Sequence, residues 1–430
     1  MSQSITLTYQ KPSLSGDIKI PGDKSISHRS VMFGSLAKGR TTVSGFLLGE
    51  DCLSTIDCFR KLGVHIELDG NDVAIESPGV ADWNEPSEIL YTGNSGTTTR
   101  LMAGILAGSN VFSVMTGDDS IAKRPMQRVT APLRKMGAKI SGREDGKFTP
   151  LAIEGAALKA IEYDMPVASA QVKSAILLAA LRAEGKTTIL ESVPTRDHTE
   201  RMMRQFGLDI TSTNRKITLE GGQELKATHV DVPGDISSAA FFLVAAAIAK
   251  GSRVTLENVG LNPTRDGIIE VMEKMGADFE IEMEDREAAE PSGTIHVRSS
   301  QLTGIVIEGS LIPRLIDEIP VIALLATQAK GKTIIRDAEE LKVKETDRIT
   351  AVVETLKKMG ANIEATEDGM IIEGPTQLSG AEVDSYGDHR IGMMASIASL
   401  ITEGSVVLNN SDCISISYPE FFEHLETISK

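Results

Sequence analysis

The chain has 430 residues, of which 41% are hydrophobic and 24% charged, a composition typical of a globular protein with more than one domain. Its net charge of −16 argues against a nucleic-acid-binding protein, which usually carries a basic face. An acidic protein can still hold a basic cleft, so the charge is compatible with an anionic small ligand.

Cysteine usage and hydropathy limit the compartment. The three cysteines, Cys52, Cys58 and Cys413, are too sparse for a disulfide framework. The N-terminus lacks the basic and apolar segments of a secretory signal, and the apolar run 239–249 is too short to cross a bilayer. We therefore expect a cytoplasmic protein that binds neither membrane nor nucleic acid. We also expect a monomer, although no sequence pattern determines the oligomeric state.

Two kinds of helix alternate along the chain, and each is expected to end at a glycine that precedes a strand. The first kind is rich in Ala, Leu, Ile and Met. Its glycines are Gly39, Gly108, Gly185, Gly251, Gly331 and Gly404. The second kind is amphipathic, and its glycines are Gly63, Gly137, Gly207, Gly276 and Gly360. The sequence thus predicts six copies of one unit, with a period of about seventy to eighty residues.

The sixth copy ends at the C-terminus before its glycine and strand, whereas residues 5–21 read as two short strands. We therefore expect the N-terminus to complete the last unit; the alternative is a simple flap strand. The alternation of helix and strand predicts an α/β (or α+β) protein. Six units divide into two domains of three, predicted at 21–231 and at 1–20 plus 232–430.

Each first helix is preceded by a turn of small or hydrogen-bonding residues. The turns are 22–25, 93–96, 168–171, 234–238, 314–317 and 387–390. Such residues cap helices without any ligand, but glycine and exposed N–H groups at a helix start also bind anions. Lys24, Arg29 and the pair His389-Arg390 exceed capping, because a cation opposes the helix dipole there and a bound anion would compensate for it.

The second helices also begin with charged residues, most densely at 344–348, which holds two cations and two carboxylates. Taken alone, this cluster is typical of a solvated helix start with local ion pairs. Taken together, six cations are predicted to line a cleft between two domains and to bind two phosphorylated or carboxylated substrates. They are Lys24, Arg29, Arg124, Lys344, Arg348 and Arg390. Asp317 and Glu345 are then candidates for proton transfer.

Several other chemistries lack their sequence motifs. The chain has no G-x-x-x-x-G-K-[ST] loop for ATP, no G-x-G-x-x-G opening a dinucleotide fold and no G-x-S-x-G elbow. Its seven histidines are scattered, and no Cys/His pair has the spacing of metal ligands. We predict that the protein uses no metal and no organic cofactor.

Seven motifs in order over nearly the whole chain resemble the 5-enolpyruvylshikimate-3-phosphate synthase family. They are G-D-K-S-I-S-H-R, G-N-S-G-T-T-T-R, Arg124-Pro125, A-S-A-Q-V-K-S, the Asp317 segment, V-K-E-T-D-R and G-D-H-R-I-G-M. The fourth motif and the T-R-D-H-T-E after it resemble the class II, glyphosate-tolerant branch.

The resemblance implies two domains, each of three βαβαββ units in an inside-out α/β barrel-like arrangement, that close on ligands in the cleft between them. It implies a transferase of the shikimate pathway of aromatic amino acid biosynthesis, and a glyphosate target. The enzyme would move the enolpyruvyl (1-carboxyvinyl) group of phosphoenolpyruvate to the 5-hydroxyl of shikimate 3-phosphate. Phosphate would leave after addition and elimination through a tetrahedral intermediate.

The resemblance also implies residue roles. Asp317 would accept the hydroxyl proton, and Glu345, assisted by Lys24, would protonate the methylene carbon. Shikimate 3-phosphate would be bound by Lys24, Ser25, Arg29, Ser169, Ala170, Gln171, Arg196, Asp317 and Lys344. Phosphoenolpyruvate would be bound by Lys24, Asn94, Gly96, Arg124, Gln171, Glu345, Arg348 and Arg390.

The chain departs from the family pattern at two positions. Many members carry Asn where this chain has Glu340, and Lys where it has Ile416. Two other functions compete with the one implied. The sister enzyme that acts on UDP-N-acetylglucosamine should carry a reactive Cys before the Arg-Pro, and residues 116–124 contain none. A non-catalytic repeat scaffold that binds anionic partners would survive Asp317→Asn, whereas an enzyme would lose turnover.

Overall fold

A computed structural model describes residues 3–213, 215–285 and 288–430. The chain divides into two compact units, Gly22–Val232 and Met1–Pro21 with Pro233–Lys430. Residues 1 and 2, which the sequence assigned to the C-terminal domain, lie outside the described residues. Among the residues described, no helix is long and apolar enough to cross a membrane.

The first half of the chain holds three helix–strand–helix–hairpin copies. Its elements are β1 Ile5–Leu7, β2 Ser15–Lys19, α1 Lys24–Leu36, β3 Gly39–Ser44, α2 Glu50–Lys61, β4 His65–Asp69, β5 Asp72–Ser77, β6 Leu90–Tyr91, α3 Gly96–Ala107, β7 Phe112–Thr116, α4 Gln127–Lys135, β8 Lys139–Gly142, the single turn α5 Arg143–Gly146, β9 Phe148–Glu154, β10 Leu158–Lys159, β11 Glu162–Asp164, α6 Ala170–Ala180, β12 Ala183–Glu184, β13 Lys186–Leu190, α7 His198–Gln205, β14 Ile210–Thr213 and β15 Lys216–Glu220.

The second half repeats the pattern three more times. Its elements are β16 His229–Asp231, α8 Ile236–Ile248, β17 Arg253–Gly260, α9 Gly267–Met275, β18 Asp278–Asp285, β19 Ser292–Arg298, β20 Val306–Ile307, the single turn α10 Ile312–Leu315, α11 Ile319–Thr327, β21 Gly331–Ile335, α12 Arg348–Lys358, β22 Asn362–Ala365, β23 Met370–Gly374, β24 Glu382–Asp384, α13 His389–Ala398, β25 Val406–Asn409 and α14 Phe421–Ile428. The α/β class and the sixfold repeat predicted from the sequence are confirmed.

The second and fifth copies show the repeat in full. Their sheets have the orders β6-β7-β9-β8 and β20-β21-β23-β22. The first two strands of each sheet are parallel, because the first helix crosses over between them, and the others are antiparallel. Each copy is therefore a βαβαββ unit.

Both N-terminal strands were predicted to complete the last unit, and that prediction is wrong for β2. Strand β1 pairs antiparallel with β25 of the sixth copy. Strand β2 instead pairs parallel with β17 of the fourth copy, while β16 pairs parallel with β3 of the first. The strands that precede α1 and α8 are therefore exchanged between the two sheets, and each joins the compact unit to which its partner strand belongs.

The first helices form the cores. In α8 every residue from Ile236 to Ala247 is buried, as expected for a helix that is apolar all round. Helices α8, α11 and α13 pack against one another, and α3 packs against both α1 and α6. The second helices are amphipathic and bury one face, as α12 does with Ile349, Val352 and Leu356. In each of the two compact units, the sheets thus lie around the buried first helices.

Glycine ends the second helices as predicted. Gly63, Gly137, Gly207, Gly276 and Gly360 have φ between 84° and 99°, where an L side chain is strained. The prediction for the first helices is less accurate. Helix α1 ends at Leu36 and α13 at Ala398, so Gly39 is the first residue of β3 and Gly404 lies in the connection to β25. Gly108 has an ordinary φ of −98°.

Candidate active site

The turns before the first helices are N-caps in five of the six copies. The capping side chains, which each accept a hydrogen bond from their own helix, are Asp23, Ser95, Ser169, Asp235 and Asp388. The fifth copy differs, because Glu318 occupies the cap position of α11 without a side-chain cap bond. Capping therefore explains most of these residues, and the cations beside them need a separate account.

Lys24 begins α1 in the unit 22–232, and its ammonium pairs with the Asp51 carboxylate near the start of α2. The Lys24 side chain is 20% exposed, whereas Asp51 is buried. Ser25 is half-buried beside it. The sequence analysis did not single out Asp51, because the residue belongs to a helix start without an unusual charge pattern.

Arg29 lies one turn further along α1 and is buried. Its Nε donates to Thr199 Oγ1 at 2.8 Å, Nη2 donates to Ser174 Oγ at 2.9 Å and Nη1 donates to the Ser25 carbonyl at 3.0 Å. Because Ser174 lies on α6 and Thr199 on α7, one guanidinium ties three helices together.

Arg124 is brought close to Gly96 at the start of α3, together with an arginine that the sequence analysis missed. A Cβ atom placed on Gly96 would lie 2.8 Å from Arg100 Nη1 and 3.1 Å from Arg124 Nη1. Arg100 donates to Gln171 Oε1 at 2.5 Å, and Gln171 donates to Thr97 Oγ1 at 3.0 Å. Its place four residues after Gly96, on the same helix face, was the signal that could have identified Arg100.

Asn94 and the start of α6 supply further polar groups. Asn94 is half-buried in the turn before α3. Ser169 caps α6 by accepting from the Val172 amide at 3.4 Å, and Ala170 and Gln171 open the helix. Arg196 is half-buried in the segment before α7.

A buried cluster of ion pairs connects α6 with α7 and with the segment between them. Lys173 Nζ lies 2.7 Å from Glu200 Oε1 and 3.2 Å from Glu191 Oε1, and it donates to the Thr195 carbonyl at 3.3 Å. Burial disfavours the charged Lys173, but the two glutamates outweigh burial and raise its pKa. Burial also raises the pKa of Glu200, although Lys173 opposes that change. The cluster fixes the chain next to Arg196.

The unit that contains residues 233–430 brings Asp317, Lys344, Arg348 and Arg390 together. Lys344 Nζ and Arg348 Nη1 each lie 3.2 Å from Asp317 Oδ1. Arg390 Nη1 donates to the main-chain carbonyl of Asp317 at 3.1 Å. Three predicted substrate-binding cations therefore converge on the predicted base.

Arg348 is almost fully buried, with 1% of its side chain exposed. Its Nη2 donates to Glu345 Oε2 at 2.7 Å, and its Nε donates to Asp388 Oδ2 at the same distance. Burial opposes its positive charge, but Asp388, Glu345 and Asp317 raise the pKa of Arg348 above its ordinary value. After Asp51 and Arg100, Asp388 is the third residue that the sequence analysis did not assign, although it lies in the G-D-H-R motif.

The two residues that depart from the family pattern, Glu340 and Ile416, both lie in 3₁₀ turns. Ile416 ends the 3₁₀ turn Ser411–Ile416 and packs partly buried against the hydrophobic core. Glu340 is half-buried in the 3₁₀ turn Glu339–Val343, just before Lys344. Among the described residues, no group of three or more His, Cys, Asp or Glu side chains is arranged to hold a metal ion.

Comparison with known proteins first defines the class. A solved structure of EPSP synthase from Acinetobacter baumannii superposes with a TM-score of 0.90 at 46% identity, covering 100% of this chain and 98% of that one. A second structure of that organism's enzyme gives 0.88 at 45%, covering 99% and 98%. The fold is therefore that of a carboxyvinyl transferase.

The sequence then defines the family. The relative from Bacillus cytotoxicus, named 3-phosphoshikimate 1-carboxyvinyltransferase, is 62% identical over 415 residues, 96% of this chain and 98% of its own length. The same-named relative from Bacillus pumilus is 60% identical over 418 residues, 97% and 98% of the two chains. The family described as EPSP synthase (3-phosphoshikimate 1-carboxyvinyltransferase) matches residues 9–425. This chain belongs to that family.

Family membership carries the reaction. The protein is an enzyme of the shikimate pathway that transfers the enolpyruvyl group of phosphoenolpyruvate to shikimate 3-phosphate. The function that the sequence predicted is confirmed, and the sister activity on UDP-N-acetylglucosamine and the non-catalytic scaffold are set aside.

Proposed function

We propose that Asp317 is the base of this enolpyruvyl transfer and that the cations around it bind the substrates. The observation that supports the proposal is the sharing of Asp317 Oδ1 by Lys344 and Arg348, with Arg390 on the carbonyl of the same residue. Hydrogen bonds from two cations fix that carboxylate in place, and a fixed acceptor is what general base catalysis requires.

Shikimate 3-phosphate is held mainly by the turns of the first and third copies. Arg29 is oriented by Thr199 and Ser174, and Lys24 by Asp51, so both cations are preorganised for a phosphate. The proposed contacts are Lys24, Ser25, Arg29, Ser169, Ala170, Gln171, Arg196, Asp317 and Lys344.

Phosphoenolpyruvate takes the remaining cations. Its carboxylate and its phosphate both require positive groups. Arg suits both, because its guanidinium can make two parallel hydrogen bonds to either group. The absence of a side chain at Gly96 lets an anion approach Arg124 closely. The proposed contacts are Lys24, Asn94, Gly96, Arg124, Gln171, Glu345, Arg348 and Arg390.

Addition forms a bond between the 5-hydroxyl oxygen of shikimate 3-phosphate and C2 of phosphoenolpyruvate. Asp317 takes the hydroxyl proton, and Glu345, assisted by Lys24, gives a proton to the C3 methylene, which becomes a methyl group. An anion bound at Arg348 competes with Glu345 for the guanidinium, and the approach of negative charge favours proton uptake by Glu345.

Elimination reverses the proton transfer at carbon. Glu345 takes one methyl proton back, the C2–C3 double bond re-forms and the bond from C2 to the phosphate oxygen breaks. Phosphate leaves, and the enolpyruvyl group remains on the shikimate ring as an ether. The cations stabilise the negative charge throughout, so no metal or organic cofactor enters either step.

We also propose that the two compact units, 22–232 and 1–21 with 233–430, are the domains that the sequence places at 21–231 and at 1–20 with 232–430. The three cysteines are buried and form no disulfide with one another, which fits a reducing, cytoplasmic setting. We propose that the enzyme works there as a monomer on small molecules alone, without nucleic acid or membrane.

Release of inorganic phosphate tests the proposal. Purified enzyme with phosphoenolpyruvate should release phosphate when shikimate 3-phosphate is added, and not when UDP-N-acetylglucosamine is added. Arg124→Lys should raise the KM of phosphoenolpyruvate, and Arg29→Lys the KM of shikimate 3-phosphate. If each variant changed both KM values equally, the division of the site between the two substrates would be refuted.

A further inference from the structure

Glu318 is a buried carboxylate that the reaction does not use. It follows Asp317 directly and occupies the cap position of α11, yet its side chain does not cap the helix. The side chain is fully buried, and its Oε2 has no hydrogen-bond partner among the residues that the structure describes. A half-satisfied buried carboxylate destabilises a fold, so packing gives no reason for a glutamate at this position.

The other carboxylate oxygen points to a role. Glu318 Oε1 accepts a hydrogen bond from Ser237 Oγ on α8 and lies 3.9 Å from Arg390 Nη1 on α13. Arg390 Nη1 is the same nitrogen that donates to the Asp317 carbonyl. Two successive residues of the fifth copy therefore hold one nitrogen of the sixth copy's arginine.

Ser237 is itself held in place by a buried arginine, Arg265. Arg265 Nη2 donates to Ser237 Oγ at 2.6 Å and lies 3.3 Å from Asp235 Oδ1, and all three residues are buried. Because the Ser237 hydroxyl accepts from Arg265, its proton is directed to Glu318. A chain of three buried groups, Arg265, Ser237 and Glu318, thus leads from the segment before α9 to Arg390.

We propose that Glu318 is a positioning residue for phosphoenolpyruvate binding, which orients Arg390 through the buried chain Arg265–Ser237–Glu318. The inference rests on the proposed role of Arg390 in binding that substrate. Glu318 touches neither substrate, and it acts by holding Arg390 Nη1 where the anion arrives.

The test separates the KM of the two substrates. Glu318→Gln keeps the shape and an acceptor for Ser237 but removes the charge beside Arg390. The KM of phosphoenolpyruvate should rise about 5- to 30-fold, while kcat and the KM of shikimate 3-phosphate change less than about twofold. Ser237→Ala should raise the same KM about 2- to 5-fold, and it provides the test if the first variant does not fold.

Two further variants complete the experiment. Glu270→Gln is the matched control, since Glu270 also pairs with an arginine of this unit, Arg314, and has no contact with Arg390. It should leave both KM values unchanged. In an Arg390→Lys background, Glu318→Gln should have no further effect on the KM of phosphoenolpyruvate, because residues that act through one another are not additive.

The outcomes are distinguishable. If Arg390→Lys raises the KM of phosphoenolpyruvate and Glu318→Gln with Ser237→Ala does not, the positioning role is refuted and the role of Arg390 stands. Full additivity of Glu318→Gln with Arg390→Lys would also refute it. If Arg390→Lys leaves that KM unchanged, the assignment of Arg390 is wrong and the positioning role falls with it.

Discussion

Arg348 Nε lies 2.7 Å from Asp388 Oδ2, and neither side chain is more than 1% exposed. Asp388 also caps α13, with its Oδ1 accepting from the Arg390 amide at 2.9 Å. One buried carboxylate therefore fixes the guanidinium at the start of α12 and the first turn of α13. This pair holds the cations around Asp317 in place before any substrate binds.

Removing Arg348 should cost both stability and activity. Arg348→Met leaves Asp388 buried without its main cation, so the free energy of unfolding should fall by about 3–5 kcal/mol. Urea denaturation measures the loss. The matched control is Arg336→Met, whose partner Glu308 is 43% exposed, and it should cost less than about 1 kcal/mol. Equal losses in the two variants would contradict the account of the Arg348–Asp388 pair.

A methyl group at Gly96 should weaken phosphoenolpyruvate binding selectively. The new Cβ would lie within 3.1 Å of guanidinium nitrogens of Arg100 and Arg124, so both must shift. We expect Gly96→Ala to raise the KM of phosphoenolpyruvate about tenfold and to leave that of shikimate 3-phosphate nearly unchanged.

The control for this variant is Gly331→Ala, which lies at φ 94° with no neighbour within 4 Å of the added carbon. That substitution should lower stability by about 1 kcal/mol through backbone strain without changing either KM. Steady-state kinetics on both variants decides the question, and a Gly96→Ala enzyme with wild-type constants would count against the site.

Thr199 should influence shikimate 3-phosphate binding through Arg29. Thr199→Val keeps the volume but removes the acceptor for Arg29 Nε. The KM of shikimate 3-phosphate should rise about 3- to 10-fold, with that of phosphoenolpyruvate unchanged. Thr41→Val, at a buried hydroxyl without a hydrogen-bond partner among the described residues, should change neither. A change in the KM of phosphoenolpyruvate alone would be the opposite of what we expect.

Acid should destabilise the protein partly through His28. This side chain is buried and bonded to Thr55 Oγ1 at 2.7 Å, and burial, with Lys24 and Arg29, lowers its pKa well below 6.5. Below pH 6.5, His28 binds a proton in the unfolded chain but not in the native state. Stability should therefore fall as pH falls from 6.5 towards the lowered pKa, by up to about 1.4 kcal/mol per pH unit.

Unfolding measured in urea between pH 7 and pH 5 checks this direction. His28→Gln should reduce the loss of stability on acidification, because it removes the group that titrates differently in the folded and unfolded states. A wild-type curve that rose on acidification, or one unchanged by His28→Gln, would show that His28 does not govern this pH range.

Local sequence patterns predicted much of the fold because the forces behind them are local. The apolar run of α8 leaves no face for water, and the glycine after each second helix meets a positive φ that other residues avoid. The exchange of β2 and β16 was not predictable in this way. It depends on pairing between strands more than 180 residues apart, such as His229 with Thr42, and short strands carry no local signal for their partner.

The candidate site shows the same division. The cations were visible in the sequence because a positive charge at a helix start is locally unfavourable. Their partners were not, because Asp51, Asp388 and Glu318 are acidic residues at helix starts, where acidic residues are common. Only the packing of the helices against one another shows which carboxylate orients which cation.

The substitution Asp317→Asn tests the central claim most directly, by phosphate release under saturating phosphoenolpyruvate and shikimate 3-phosphate. The asparagine keeps the shape and an acceptor for Lys344 and Arg348 but cannot take the hydroxyl proton. We predict that kcat falls about 10²- to 10⁴-fold, with shikimate 3-phosphate bound nearly as tightly as before by calorimetry. A variant that folds, binds and still releases phosphate at the wild-type rate would contradict the assignment of Asp317 as the base.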